Sequence, residues 1–382
     1  MHEFTVLRSM RSGLQPTLAS GAVPCVVAIP VRNEEGRIEA CLDGLAAAAA
    51  RAEPRMAIRI IALLNGCDDG TWNAIARWAL HARICIDMVE VELASHMDHA
   101  GGARAVALRH ALGLVADVEG AVVLTTDADT RVSADWFVRA TSAIEAGCDV
   151  LAGDFDIDAA SRAQWPVSLQ HRHAQELRYS ALLDEIDAAC DPVAHNPAPT
   201  HRRCSGASLA FRASSLARLP FLPAPHAGED RALVAACVAA GLRVRHDPQW
   251  RVVTSGRLVG RAQGGMADTL CCQHSLPDLP CDPLLEPVAS HVFRATLRAQ
   301  LRALFVPGMS ALTLARVGGL RMRRGASMAC AHFGEAWQSI ENDFPPLARI
   351  PLIPAHLAAE AEQAAAWLHA RTAMGWEAEV AA

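Results

Sequence analysis

Along the first third of the chain, short apolar runs alternate with stretches in which apolar residues recur three or four apart, and polar, glycine-rich breaks separate them. The run Pro24-Cys-Val-Val-Ala-Ile-Pro30 holds no charged position, as expected of a strand buried on both faces, and Val31-Arg-Asn-Glu-Glu-Gly36 breaks it. Ile38, Leu42 and Leu45 then recur at helical spacing, and an alanine run carries that helix towards Glu53-Pro54. Residues 57–64 predict a second strand, ended by Asn65-Gly-Cys-Asp-Asp-Gly70, and a helix follows over 71–81. A third strand within 84–93 and a helix from about His99 through Leu114 lead to a fourth strand over 121–126. The order β-α-β-α-β-α-β predicts an α/β fold, Rossmann-like, with a mostly parallel central sheet and helices on both faces. Its chemistry is expected in the loops at the strand ends. Residues 1–21 show no clear period and read as an N-terminal arm.

The fourth strand stops abruptly at two carboxylates, in Val122-Val-Leu-Thr-Thr-Asp-Ala-Asp-Thr130. Side chains two apart on an extended strand share a face, so Asp127 and Asp129 can converge on one ligand. Two like charges this close repel unless something positive sits between them, and a hard divalent cation with oxygen ligands answers that need. The plain alternative is an Asp-rich turn ahead of a helix that begins near Ser133.

Further on, residues 149–153 predict a short strand and 164–189 a long helix carrying His171, His173, Glu176 and Tyr179. Ser205-Gly-Ala-Ser-Leu-Ala-Phe211 reads as a strand whose small residues permit close approach of a ligand or a second backbone. An irregular proline-rich loop then delivers Glu229-Asp230 to the start of a helix running to about Ala240, where acidic residues also suit the helix dipole. Residues 243–246 and 250–254 predict two short strands, and Ser255 to Gly265 a glycine-rich loop with Arg257 and Arg261. From there the chain is mostly helical. The reading divides it into an arm (1–21), an α/β domain (22–265) and a helical C-terminal extension (266–382).

Composition narrows the function. The chain has 382 residues, a formal net charge of −6 and no long basic block, which argues against a nucleic-acid binder or an anionic-membrane binder. Twelve cysteines are dispersed, mostly in apolar segments, and read as reduced core residues. Cys271, Cys272, His274 and Cys281 lack the C-x-x-C pair and regular spacing of a zinc site. No apolar run is long enough to span a bilayer, so the expectation is a soluble cytoplasmic protein.

Taken together, the strand-end loops resemble those of the family-2 glycosyltransferases of the GT-A fold, which move a sugar from a nucleotide-diphosphate donor to an acceptor. Ala28-Ile-Pro-Val-Arg-Asn-Glu-Glu35 is similar to the family's first strand and turn, which implies that Pro30, Asn33 and Glu34 begin the nucleotide pocket. Asn65-Gly-Cys-Asp-Asp-Gly-Thr71 resembles its second loop, Thr125-Thr-Asp-Ala-Asp129 its Asp-x-Asp motif, and Ser205-Gly-Ala-Ser its acceptor-side segment. Gly228-Glu-Asp230 resembles the motif bearing the catalytic base. One departure matters: the family usually offers an Asp to the base where this chain has Asn65, and Asp69 keeps only the later carboxylate. A neutral amide donates as well as accepts, so a base other than uracil stays open. The Gln-x-x-Arg-Trp pattern of processive members is absent, which implies a single transfer.

The resemblance implies a definite chemistry. Breaking a sugar–phosphate bond develops negative charge on the leaving diphosphate, which a Mg or Mn ion at Asp127 and Asp129 stabilises. Arg257 and Arg261 add charge-assisted bonds to the diphosphate, as do backbone N–H groups at Gly101 and Gly102. Asp230, beside Glu229, takes the acceptor's proton, and with no second nucleophile inversion is expected. The partners are a nucleotide-sugar donor and a small-molecule, lipid or glycan acceptor. Two rival readings are a nucleotidyltransferase, for which the first loop is a poor match, and a nucleotide-sugar-binding protein without turnover.

Overall fold

Among the described residues nine strands form one sheet. The structure, a computed structural model, describes residues 3–13, 22–53, 55–115, 119–260, 264–322 and 327–373. The chain opens with β1 (Phe4–Ser12), β2 (Val23–Val31), α1 (Ile38–Ala52), β3 (Met56–Asn65), α2 (Thr71–Ala79), β4 (Cys85–Leu93), α3 (Ala100–Val115) and β5 (Val122–Thr125). Then come β6 (Thr130–Val132), α4 (Trp136–Glu145), β7 (Val150–Ile157), α5 (Ala159–Ala163), α6 (Val167–Cys190), β8 (Leu209–Arg212), α7 (Ala213–Leu216), α8 (Glu229–Ala239) and β9 (Val244–Thr254). Helices α9 (Met266–Ser275), α10 (Val288–Leu304), α11 (Ala311–Val317), α12 (Phe333–Asp343) and α13 (Leu357–Ala373) follow.

The sheet order is β1-β4-β3-β2-β5-β8-β7-β9-β6. The central strands β4, β3, β2 and β5 are parallel, and β1, β8 and β7 add antiparallel pairings. Strand alternation explains why β2 carries no charged residue. Cys25, Val27, Ile29 and Val31 join a core with Ile38, Leu42 and Leu45 of α1 and Trp136 and Phe137 of α4. Val26 and Ala28 face the opposite side, where α3 packs, and are equally buried. Each buried Val, Ile, Leu or Phe among them contributes about 1.5–3 kcal/mol through burial.

Three expectations from the sequence are corrected. Phe4–Ser12, assigned to an arm, is an edge strand antiparallel to β4, held by backbone pairing and by ion pairs of Arg8 with Glu90 and of Arg11 with Asp87. Its side chains are largely exposed, so no apolar alternation marks it. The two strands over 243–254 are one, and the strand read over 205–211 is confined to Leu209–Arg212, because residues 205–208 form a loop.

By contacts the chain divides into two units: residues 1–163, 203–236 and 246–269, which hold the sheet, and residues 164–202, 237–245 and 270–382, which are mainly helical. In the helical unit Tyr179 and Leu183 of α6 pack with Leu357 and Ala361 of α13. Asp187 and Asp191 at the end of α6 meet Arg298 and Arg302 of α10, with Arg298 Nη2 3.0 Å from Asp187. Only Asp191 among them is buried, so these pairs add little net stability and mainly set which helix faces meet.

Candidate active site

A cavity of about 500 Å³ opens where β2, β3 and β5 end, the position in which open α/β sheets bind ligands. Pro30 and Val31 line it from β2, Asn65 from β3, and Asp127 to Asp129 from the loop after β5. Ser205 and Gly206 before β8, Glu229 and Asp230 at the start of α8, and Thr254 to Arg257 after β9 complete it.

Asp127 and Asp129 come together in the turn that follows β5, closed by Thr130 N–H to Asp127 O at 3.1 Å, and not on the strand itself. Each meets an arginine. Arg104 Nη2 is 2.7 Å from Asp127 Oδ1, and Arg257 Nη2 is 3.4 Å from Asp129 Oδ2. Burial, and then the neighbouring charge of Asp127, push the Asp129 carboxyl up to about 6. Arg257 also pairs with both carboxylate oxygens of Glu34, so in this structure the guanidinium faces carboxylates across the loop. That differs from the diphosphate-facing arm the sequence predicts.

Arg104 joins the two halves of the cavity. It is 6% exposed on α3 and donates to Asp127, to Thr125 Oγ1 at 3.1 Å, to Gly206 O at 3.0 Å and to Glu229 Oε1 at 3.2 Å. Two carboxylates hold its guanidinium well above the usual arginine range despite burial. Sequence reasoning missed this residue. The one signal was an arginine within Ala103-Arg-Ala-Val-Ala-Leu108, an otherwise apolar helical stretch. A Cβ on Gly206 would strike the Arg104 guanidinium, which explains the glycine. Gly206→Ala is therefore expected to cost about 1–3 kcal/mol, read as a lowered Tm. An unchanged Tm would mean that Arg104 swings aside freely.

Asp230 accepts from Gly206 N–H at 3.3 Å and from Arg231 N–H at 2.6 Å. Burial and the adjacent Glu229 raise its carboxyl, the direction that makes a stronger base. His226 lies against His99, which lines the cavity, with ring centroids 4.2 Å apart and the planes tilted by 38°. His171 is exposed on α6, and His173 packs edge-on against Trp165.

Other predicted site residues hold the scaffold. Asn33, with a φ of 54°, donates from Nδ2 to Asp68 at 2.6 Å and accepts from Asp68 N–H at 2.9 Å. Asp69 accepts from Thr71 N–H at 3.0 Å and Glu35 N–H at 3.2 Å, so both residues tie the first two loops together and neither lines the cavity. Gly101 and Gly102 do not line it either. A Cβ on Gly101 would strike Pro225 O and one on Gly102 would strike Met97 O, while Gly102 N–H donates to His99 Nδ1 at 3.2 Å. These glycines serve close packing at the start of α3. Arg261 lies outside the described residues.

The donor set suits a hard cation. Among the described residues five carboxylates and four guanidiniums line the cavity, and one of the guanidiniums, Arg32, pairs with Asp98 outside that lining. Among the described residues no three His, Cys, Asp or Glu side chains are grouped to cage a metal. Two carboxylates, Asp127 and Asp129, match the way Mg or Mn is held when substrate phosphates complete the shell.

A search of curated protein sequences finds no match. Among solved structures, the chain is similar to the mannosyltransferase PcManGT from Pyrobaculum calidifontis in complex with GDP-Man and Mn2+, at 17% identity over 96% of this chain and 84% of that one, with a TM-score of 0.44. It is also similar to TarS 1-349 of S. aureus (14% identity, 94% and 93% covered, TM-score 0.42). A third is glucosyl-3-phosphoglycerate synthase from Mycobacterium tuberculosis with Mn2+, UDP and phosphoglyceric acid (17% identity, 67% and 78% covered, TM-score 0.40). The model of glycosyl transferase family 2 matches residues 26–199, a span holding the first two loops, Arg104 and the Asp127/Asp129 turn. Over residues 26–199, somewhat less than half of its length, the chain is similar to glycosyl transferase family 2.

Proposed function

We propose that the chain is an inverting, cation-dependent glycosyltransferase that moves one sugar, of the hexosyl type, from a nucleotide-diphosphate donor to an acceptor hydroxyl. The observation that carries the reading is a single cavity with Asp127 and Asp129 on one side and Asp230 on the other, joined through Arg104 and Glu229. The acceptor hydroxyl gives its proton to the Asp230 carboxylate as its oxygen bonds the anomeric carbon. The bond from that carbon to the donor phosphate breaks on the opposite face, and the nucleoside diphosphate leaves with the electron pair. Asp127 and Asp129 would hold a divalent cation, which would supply charge neutralisation for that leaving group. Arg257 is placed to move from Glu34 to the diphosphate, and Arg104 keeps Asp127 and Glu229 in fixed positions.

The test is calorimetric binding of nucleoside diphosphates with Mn or with chelator, in wild type and in Asp129→Ala. Affinity should fall strongly on chelation and in the variant, and equal affinity in all three conditions would remove the cation from the reading. pH gives a second handle. Cation binding needs ionised Asp129, so with its pKa at about 6 the affinity should drop by up to about tenfold per unit below pH 6. Without cation the sign reverses for folding. The raised carboxyl favours the fold while protonated, so stability is lost as pH rises from about 4 to about 6, and Mn should restore it above that window. Asp184 is raised into the same range, so the test is the difference from Asp129→Asn: a slope unchanged in that variant would contradict the buried, charge-crowded Asp129.

A further inference from the structure

Both carboxylates of the proposed cation site face an arginine, and the two arginines are held in different ways. Arg104, on helix α3, is fixed by four acceptors, two of them the neutral Thr125 Oγ1 and Gly206 O. Arg257 lies three residues beyond β9, outside any helix or strand, and among the described residues its side chain bonds to carboxylates alone. Its Nη1 donates to Glu34 Oε2 at 2.7 Å, while Nη2 faces both Glu34 Oε1 and, at 3.4 Å, Asp129 Oδ2. Glu34 cannot follow the arginine away. It is 6% exposed, its N–H donates to Thr71 Oγ1 at 2.8 Å, and its carbonyl accepts from Arg37 N–H at 3.0 Å and Ile38 N–H at 2.9 Å, where α1 begins.

Charge decides when Arg257 can leave. Without it, Glu34 and Asp129 are two like charges facing one gap away from bulk water, which is unfavourable unless another cation fills the gap. A dication entering alone must displace the guanidinium from both carboxylates and leave it without an anion. A diphosphate arriving with the dication offers the guanidinium its phosphate oxygens in exchange, a bidentate match for the planar fork. We propose that Arg257 is the resident counter-ion of the cation site, holding Glu34 and Asp129 until a diphosphate takes it over, so that cation and diphosphate enter together. This rests on the cation-dependent reading above and adds to it that the ion alone is kept out. The coupling is reciprocal, since each ligand removes the cost that the other meets.

The test measures the Mn affinity of the full chain without nucleotide, from the electron paramagnetic resonance of free Mn, for wild type, Arg257→Met, Arg257→Gln and Arg257→Lys. The affinity for UDP, GDP, CDP and ADP with Mn present is then measured for each. The two neutral variants should bind Mn alone about 10- to 100-fold more tightly than wild type and the best nucleotide several-fold more weakly. Opposite signs for the two ligands separate a counter-ion from a structural part, whose loss weakens both. Arg257→Gln retains a hydrogen bond to Glu34 and covers the case of a poorly folded Arg257→Met. Arg257→Lys keeps the charge and should bind Mn alone within about threefold of wild type. Mn alone bound no more tightly by Arg257→Met and Arg257→Gln overturns the inference, as does an equal tightening in Arg257→Lys. Either result leaves the cation reading intact if Asp129→Ala still weakens the Mn-dependent binding of nucleotide. Mn bound neither by wild type nor by any variant, with nucleotide or without, overturns that reading and this inference with it.

Discussion

Asp230→Asn is expected to lower turnover by about 10²- to 10⁴-fold while donor affinity stays nearly that of wild type. The carboxylate is assigned only to the acceptor's proton, which moves in the transition state, so its loss should reach kcat and spare the donor. The substitution keeps shape and abolishes basicity. The amide oxygen can keep the shorter bond, from Arg231 N–H, while the amide nitrogen then takes the place of the oxygen that accepts from Gly206 N–H and that longer bond is lost. Burial and Glu229 raise the Asp230 carboxyl, so the acid limb of the rate profile should lie above the ordinary aspartate range and should vanish in the variant. Glu229→Gln should do less to turnover, because Glu229 holds Arg104. Turnover of Asp230→Asn equal to wild type would sink the assignment of the base. A joint loss of folding and donor binding would mark Asp230 as a structural cap instead.

Arg104→Met carries the other large effect, on stability and donor binding together. Removing one partner from a buried charge group leaves the others uncompensated, and here Asp127 and Glu229 both lose their cation. Their side chains are 32% and 14% exposed, so solvent recovers part of the cost and about 3 kcal/mol is expected. At roughly 2–4 °C per kcal/mol for a domain of this size, the Tm should fall by about 6–12 °C. Arg104→Lys should fall between the two, since a point charge cannot span Asp127, Thr125, Gly206 and Glu229 as the planar fork does. Wild-type Tm and donor affinity in Arg104→Met would show that the fourfold contact holds nothing in place.

What the chain declares locally, it declares well. The apolar runs that became β2 to β5, and the helical periods of α1 to α3 between them, follow from burial on two sheet faces or on one helix face, and those constraints act on residues a few positions apart. The Asp127/Asp129 turn and the Glu229-Asp230 helix start were readable because a break in an apolar run exposes its own chemistry. The edge strand β1 was not, because an exposed strand is specified by its partner's backbone and leaves little apolar pattern. The partners of the charged groups were unreadable for a different reason. Arg104 meets Glu229 across 125 positions and Arg257 meets Glu34 across 223, while Asn65 is oriented by an aspartate in the next loop. Whether an amide shows its oxygen or its nitrogen to a cavity, or which carboxylate an arginine neutralises, depends on directions and distances in space. Only the packing of strands and helices creates those, so the composition of the site was written in the sequence and its wiring was decided by the tertiary structure.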